Sequence, residues 1–336
     1  ALAPAVVAAC ADAAALAAHP ALAAAAPLAL ATLMAVDGAV CEAHLGALFA
    51  AAADPRLPPR ARSTLAVAAG DLAVRFPNAV EPWTAALYAP LTSADAGVRR
   101  DALLVLSHLV LNDMVKVKGH AAALAARVVD PDPRTAALAA LFFHELAARA
   151  HKGAHPVYNL VPDVLSSLAA DASISQPNFQ TIMRSLLAHV GKEKHGDGLV
   201  DKLLPRLSRG APRAAARGAA FCLAQLALSE KGVRKVVDGL PLYRHWLGDA
   251  DVAASVRAAA ARGRRLAKAS GGLKADLDAW EERVDAAVAE LGEAAVAAEG
   301  GADAADAAPA ADENAPAAPA ASEDASGLAS PTGVTA

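Results

Sequence analysis

The stretch Asp95-Ala96-Gly97-Val98-Arg99-Arg100-Asp101-Ala102-Leu103-Leu104-Val105-Leu106 decides the fold. An aspartate stands in a turn, arginine follows early in a helix, and apolar residues then recur at helical spacing. Aspartate suits that place because its carboxylate accepts from the free N–H groups of a helix N-terminus. The pattern returns at Asp132-Pro133-Arg134-Thr135-Ala136-Ala137-Leu138, and more loosely at Pro58-Pro59-Arg60-Ala61-Arg62-Ser63-Thr64-Leu65. Asp54, Asp95 and Asp132, spaced by 41 and 37 residues, are each expected to introduce the second helix of a pair.

Working outward, apolar blocks of helical length are separated by short breaks rich in Asp, Pro, Asn and Gly. Examples are Asp54-Pro55, Phe76-Pro77-Asn78, Asn112-Asp113, Asp130-Pro131-Asp132-Pro133 and Gly210-Ala211-Pro212. Pro is tolerated in the first turn of a helix and Asp or Asn before it. No run of alternating β-branched residues argues for a strand. Hydrophobic residues make up 55% of the chain while aromatics are only 4%, so alanine dominates, and small helix-favouring residues suit closely stacked helices.

A two-helix unit near forty residues long is the signature of a HEAT-type solenoid. One hairpin cannot bury its apolar stripe alone, and stacking on neighbours completes the core. The expected fold class is therefore all-α, a HEAT-repeat α-solenoid of the armadillo-like superhelical kind over residues 1–270. Pairs are expected near 20–53, 59–91, 94–130, 132–170, 175–207 and 211–246. A C-terminal helix follows at 271–296. Residues 297–336, rich in Ala, Pro, Asp and Glu, are expected to be a disordered acidic tail, because they bury too little apolar area to offset chain entropy.

Charge is split along the chain. Residues 271–336 carry 14 acidic and 2 basic side chains, and residues 1–270 carry 21 acidic and 29 basic. A mildly basic body suggests contact with a polyanion. Cys10, Cys41 and Cys222 are isolated, fit a reduced intracellular compartment, and read as small buried hydrophobes. The chain starts at Ala1 and not at Met, and is expected to be a fragment. No Lys or Arg precedes Arg56, as a signal peptide would require. The absence of a long uninterrupted apolar run argues against a membrane span.

Catalytic chemistry is not visible. There is no phosphate-binding Gly-Lys-Ser/Thr loop and no Gly-x-Gly-x-x-Gly after a strand. His151 and His155 have helical ligand spacing, but Gly153 and Pro156 interrupt the helix, so a surface loop is the better reading. Asp130 and Asp132 read as turn and cap residues, and Asp197 and Asp201 as residues at a helix start. Trp83 and Tyr88 are expected at a buried helix interface. No catalytic, cofactor, metal or small-molecule site is assigned.

Two runs go beyond generic HEAT pattern. One is Ser107-His108-Leu109-Val110-Leu111-Asn112-Asp113-Met114-Val115-Lys116-Val117-Lys118-Gly119, followed by the Asp130–Pro133 turn and by Leu141-Phe142-Phe143-His144-Glu145-Leu146. The other is Gly70-Asp71-Leu72-Ala73-Val74-Arg75-Phe76-Pro77-Asn78-Ala79-Val80-Glu81-Pro82-Trp83. Both resemble the condensin complex subunit 1 family, the HEAT-repeat regulatory subunits of condensin I, in its C-terminal part. The resemblance continues through Tyr158–Asp163, Phe179–Met183, Leu199–Leu203 and Gly232–Lys235, and covers about residues 28 to 290. The acidic tail departs from a family that often ends in basic sequence.

The resemblance implies a non-enzymatic subunit that works with a kleisin, with SMC ATPases and with double-stranded DNA or chromatin in mitotic chromosome condensation. It also implies a place in the nucleus and on mitotic chromosomes, with cytoplasm in part of the cell cycle. A generic HEAT adaptor, such as the condensin II counterpart or a transport or phosphatase scaffold, is the alternative. With few aromatics for base stacking, DNA contact falls to clustered cations and is sequence-independent. The candidates are Arg99, Arg100, Lys116, Lys118, Lys192, Lys194, Arg234, Lys235, Arg262, Arg264, Arg265 and Lys268. Arg99 also reads as a repeat-stacking arginine, and Arg262 to Lys268 as a solvated helix face.

Overall fold

A computed structural model describes residues 2–117, 119–149, 155–267 and 271–303, with 266, 267, 271 and 293–303 described in backbone only. Lys118, His151, Lys268 and the tail from residue 304 onward lie outside the described residues. The chain divides into a compact unit, Ala1–Gly292, and a second unit, Glu293–Ala336. All side-chain geometry below belongs to the first.

The helices are α1 (Ala3–Ala11), α2 (Ala13–Ala18), α3 (Pro20–Val36), α4 (Gly38–Ala53), α5 (Pro59–Arg75), α6 (Pro77–Val80), α7 (Thr84–Tyr88), α8 (Ala96–Leu111), α9 (Ala121–Ala126), α10 (Pro133–Ala148), α11 (Pro156–Ala170), α12 (Gln176–Ala188), α13 (Glu193–Leu203), α14 (Arg213–Gln225), α15 (Glu230–Asp238), α16 (Leu240–Tyr243), α17 (Ala250–Ala267) and α18 (Gly271–Asp303). Short 3-10 turns finish several second helices, as at Arg127–Val129 and Leu204–Leu207. No strand occurs among the described residues. The fold is all-α, with helical hairpins stacked in sequence order as a HEAT-type solenoid.

Two rows of helices carry the stack. In the first row α3 packs on α5, α5 on α8 and α8 on α10, and further along α12 packs on α14 and α14 on α17. In the second row α9 packs on α11, α11 on α13 and α13 on α15. One continuous apolar core runs between the rows, from Cys10 and Leu16 through Leu103, Phe142, Val161 and Met183 to Tyr243 and Trp280. Each fully buried Leu or Val contributes about 1.5–3 kcal/mol. The three cysteines are buried and free, as read from the sequence.

Capping sets the hairpin boundaries. Asp95 accepts from the Val98 N–H at 2.9 Å and Asp132 from the Thr135 N–H at 2.9 Å, so each opens a first-row helix. Asp54 does something else. Its carboxylate accepts from the Arg56 N–H two residues on, and Pro58 stands at the start of α5. That turn is shared by Ser93, Asp130, Asp171 and Asp249, whose side chains accept from the N–H groups of Asp95, Asp132, Ser173 and Asp251. The expected series Asp54, Asp95, Asp132 therefore mixes two registers. The turn before α5 holds two more residues than those before α8 and α10, which shifts the aspartate. Trp83 also departs from expectation. It is 38% exposed and stacked on Phe49 at 5.5 Å between ring centroids, whereas Tyr88 is buried.

Candidate functional site

The turn aspartates form a ladder along one edge of the stack. Arg99, 8% exposed, reaches from early α8 to the turn before α10. Its guanidinium donates to both Asp130 carboxylate oxygens at 2.7 and 2.8 Å, and to the Ser93 and Ala94 carbonyls at 2.9 Å. Arg127 adds a third bond to Asp130 at 2.8 Å. Burial alone would raise the Asp130 pKa, but the Arg99 hydrogen bonds, the Asp132 N–H and the charges of Arg99 and Arg127 hold it below the usual value. Arg62 repeats the geometry toward Ser93 at 3.0 Å. Arg213 and Arg217 repeat it toward Asp249 at 2.6 and 2.8 Å. These rungs join consecutive hairpins, so Arg99 belongs to stacking and not to an exposed binding surface. Arg100, beside it, lies 3.7 Å from Asp132.

The connectors that leave first-row helices lie along the opposite edge. They touch one another in order. A groove of about 210 Å³ is lined by Pro77, Asn78 and Glu81 on one side and by Met114, Val115 and Lys116 on the other. A second, of about 660 Å³, is lined by Asp113, Lys116 and Val117 together with Arg149 and Pro156. Tyr88 donates to the Lys116 carbonyl at 3.4 Å. His155 meets the His189 carbonyl through Nε2 at 3.0 Å. Asp197 accepts from the Ser229 N–H at 3.0 Å, which places it one turn inside α13, fastening the next connector, and not at a helix start.

This edge carries cations. Lys116, Lys192 and Lys194 are exposed and have no ion-pair partner among the described residues. Arg75 and Lys231 stand on the same edge, and Arg149 lies 3.9 Å from Asp113. Histidines gather between the connectors. His155 and His195 lie 5.0 Å apart by ring centroid, and His144 and His189 lie 5.9 Å apart. Burial, then the neighbouring imidazoles, lower the pKa of His189; burial, His155 and the two lysines lower that of His195. His155 Nδ1 accepts from the Tyr158 N–H, so this residue caps α11. No metal-binding group of His, Cys, Asp and Glu occurs among the described residues.

Of the remaining candidates, Arg234, Lys235 and Arg264 are engaged by acids. Arg234 pairs with Glu230 at 2.8 Å and Lys235 with Asp201 at 2.6 Å. Arg264 on α17 pairs with Asp278 at 2.9 Å and with Glu281 of α18. Arg262 donates to Gln225 at 3.4 Å, and Arg265 is exposed without a partner among the described residues. Helix α18 is locked in place by Trp280, whose indole N–H donates to the Tyr243 hydroxyl at 2.9 Å while that hydroxyl donates to the Val236 carbonyl at 2.8 Å. Its carboxylates engage Arg264 and, earlier on α17, Arg257. The structure thus brings Lys116, Lys192 and Lys194 to one edge and separates them from Arg99, Arg100, Arg234, Lys235 and Arg264. Sequence reasoning did not single out Arg213, Arg217 and Asp249, although Arg62 and Arg99 share the fourth position after the helix start. No helix among the described residues is long and apolar enough to cross a membrane.

Comparison with known proteins gives a consistent result. The family described as Cnd1, non-SMC mitotic condensation complex subunit 1, matches residues 61–224. Human condensin complex subunit 1 is 39% identical over 269 residues, 80% of this chain and 19% of the human protein. The condensin-1 complex subunit CAP-D2 of Arabidopsis thaliana is 38% identical over 268 residues, 80% of this chain and 18% of the plant protein. Condensin complex subunit 1 of Saccharomyces cerevisiae is 33% identical over 190 residues, 56% of this chain and 16% of the yeast protein. The chain thus spans about a fifth of the length of the curated relatives it matches.

Proposed function

Because this chain belongs to the condensin complex subunit 1 family, we propose that it works as the C-terminal part of a non-catalytic HEAT-repeat regulatory subunit of condensin. In this reading it holds the kleisin, serves a complex whose SMC subunits supply the ATPase, and contacts double-stranded DNA without sequence preference. The work is mitotic chromosome condensation and segregation. The place is the nucleus and mitotic chromosomes, and the cytoplasm in part of the cycle. The observation that carries the reading is the likeness to condensin subunits over 80% of the chain. The cation edge supports its DNA arm.

Phosphate contact needs cations that face solvent and have no acid already beside them. Lys116, Lys192, Lys194 and Arg265 meet that condition among the described candidates, and the three lysines share an edge. Arg99 does not, because it is buried and withdrawing it would strip a buried carboxylate of two of its three arginine hydrogen bonds. Lys118 and Lys268 stay in the proposal on sequence grounds.

The test is duplex binding by the Lys116→Glu, Lys192→Glu, Lys194→Glu triple variant across a salt series. Each neutralised phosphate adds about 0.9 to the log–log slope, so losing three contacts lowers the slope by about 2.7. Binding that keeps its affinity and slope removes the DNA arm. Kleisin capture is scored separately against an unrelated peptide of equal length. Equal capture of both removes the partner arm and leaves a generic HEAT adaptor.

A further inference from the structure

Four first-row helices present the same exposed position. The ninth residue of each helix is Leu28 on α3, Val67 on α5, Leu104 on α8 and Leu141 on α10. They are 60%, 42%, 50% and 52% exposed. Since α3, α5, α8 and α10 pack side by side in that order, these side chains stand at the same position of four neighbouring helices and make an apolar row across them. Scattered exposed apolar residues are ordinary, but one repeated at the same position of neighbouring helices points to an interaction surface.

The row has two unlike edges. Toward the helix N-termini stand Arg60, Arg100 and Arg134 on three successive helices. Arg60 and Arg134 are exposed with no ion-pair partner among the described residues. The N-termini of α8 and α10 are capped by Asp95 and Asp132, and Arg100 lies 3.7 Å from Asp132, so the free positive charge on that side comes from Arg60 and Arg134. Toward the C-termini stand Thr32, Asp71, His108 and Glu145, one turn beyond the row. Asp101, half-buried, lies next to Arg100.

We infer that this row is a docking track for an extended segment of another polypeptide, with a large apolar residue at every third position and carboxylates toward the arginine edge. The period follows from two lengths. Packed helices stand about 8–10 Å apart. A polyproline-II chain rises about 3.1 Å per residue with three residues per turn, so every third side chain points the same way about 9.3 Å further on. One such residue then meets each helix in turn. A β-strand repeats its facing side chains every second residue, about 6.6–6.8 Å, and falls out of step. A helix laid along the row brings the same face round every seven residues, about 10.5 Å, which is longer than the spacing of the packed helices. The inference goes beyond the proposed function, which names no face for a polypeptide partner and no chemistry for it.

The test uses the full chain and a fluorescein-labelled peptide of four Leu-Pro-Glu repeats, read by fluorescence anisotropy. A scrambled peptide of the same composition is the reference. The repeat peptide is expected to bind at least tenfold more tightly than the scramble. Leu104→Asp with Leu141→Asp should weaken it at least tenfold, and Arg60→Glu with Arg134→Glu at least threefold. Leu242→Asp, on an exposed leucine of α16, should leave it unchanged. Because all the altered side chains are exposed, circular dichroism melting should match the parent. Equal affinity for repeat and scramble overturns the inference, and so does indifference to the leucine changes. It is also overturned if light scattering shows a dimer of the chain that Leu104→Asp dissolves, since the row is then covered by a second copy. Kleisin capture does not enter the readout, so failure here leaves the proposed function standing.

Discussion

Replacing Asp130 by asparagine tests the stacking ladder at its most buried rung. The amide keeps the size of the carboxylate and an oxygen to accept from the Asp132 N–H, so the turn is preserved and the charge alone is lost. Arg99 and Arg127 would then face a neutral group. Arg99 is the costlier of the two, because only 9% of its side chain is exposed and water cannot replace the carboxylate. The Ser93 and Ala94 carbonyls still accept from it, which softens the loss. Breaking a buried pair by removing one partner costs about 3–5 kcal/mol. The exposed counterpart is Asp54→Asn. Arg56, with 77% of its side chain in solvent, loses a partner that water replaces, and about 0–1 kcal/mol is expected. Denaturant unfolding of both variants measures the difference. Hydrogen exchange locates it, because a solenoid repeat touches only its neighbours and opening should concentrate in α8 and α10. The pH dependence has a definite sign. Asp130 has a lowered folded pKa, so its stabilisation is complete above the unfolded carboxyl value and is lost as pH falls through the folded one. In the asparagine variant that part of the acid limb should vanish. Equal small losses for Asp130→Asn and Asp54→Asn would refute the argument that burial makes the rung.

The histidine group should give stability a dependence on mild acid. His189 and His195 titrate below the ordinary 6.5, so folding favours their neutral forms, and stability that is complete above 6.5 declines as pH falls through the folded values. His189→Asn with His195→Gln should flatten the slope between neutral and mildly acid pH in urea melts, and an unchanged slope would remove the effect. Gly196→Ala drives a Cβ into the Ala227 carbonyl oxygen, and a loss of about 1–3 kcal/mol is expected. Gly292→Ala on α18 meets nothing within 4 Å and should gain about 0.5–1 kcal/mol; thermal melts that fail to separate the pair would show that the packing there gives way. Trp280→Ala empties a buried site against Tyr243 and should cost about 3–5 kcal/mol, whereas Trp280→Phe should cost less, as denaturant midpoints can show.

The hairpins were legible because their signals are local. A proline at the first turn, an aspartate before it and a run of alanine and leucine behind it all lie within a few residues. The registers were less legible. Asp54 and Asp130 occupy the same turn, but Asp54 is followed by four residues before α5 begins and Asp130 by two before α10. Ser93 holds that position before α8 and hides the rung that Arg62 makes with it. A search for aspartates thus finds the fold without finding its period.

The cations show why a candidate site is harder to read than a fold. A local cluster of arginines looks like a polyanion surface, and Arg262 to Lys268 form the densest one in the sequence. Whether such charges are available depends on acids that the stack brings beside them from the next hairpin. Arg99 finds Asp130 at a separation of 31 residues, Arg217 finds Asp249 at 32, and Lys235 finds Asp201 at 34. These separations approach one repeat, the distance at which a solenoid makes sequence neighbours of distant residues. At 31 to 34 residues from Lys116, in both directions, lie residues 147–150 and 82–85, without a carboxylate among them. The same intervals from Lys192, residues 223–226 and 158–161, also hold none, whereas Lys194 has Asp163 31 residues before it and still forms no ion pair among the described residues. Arg264 escapes this rule because its acids come from α18 across a short turn. An unpaired cation in a repeat protein is therefore found by asking what stands one repeat away, and by that measure two well-spaced lysines on a connector edge outrank a crowded arginine helix.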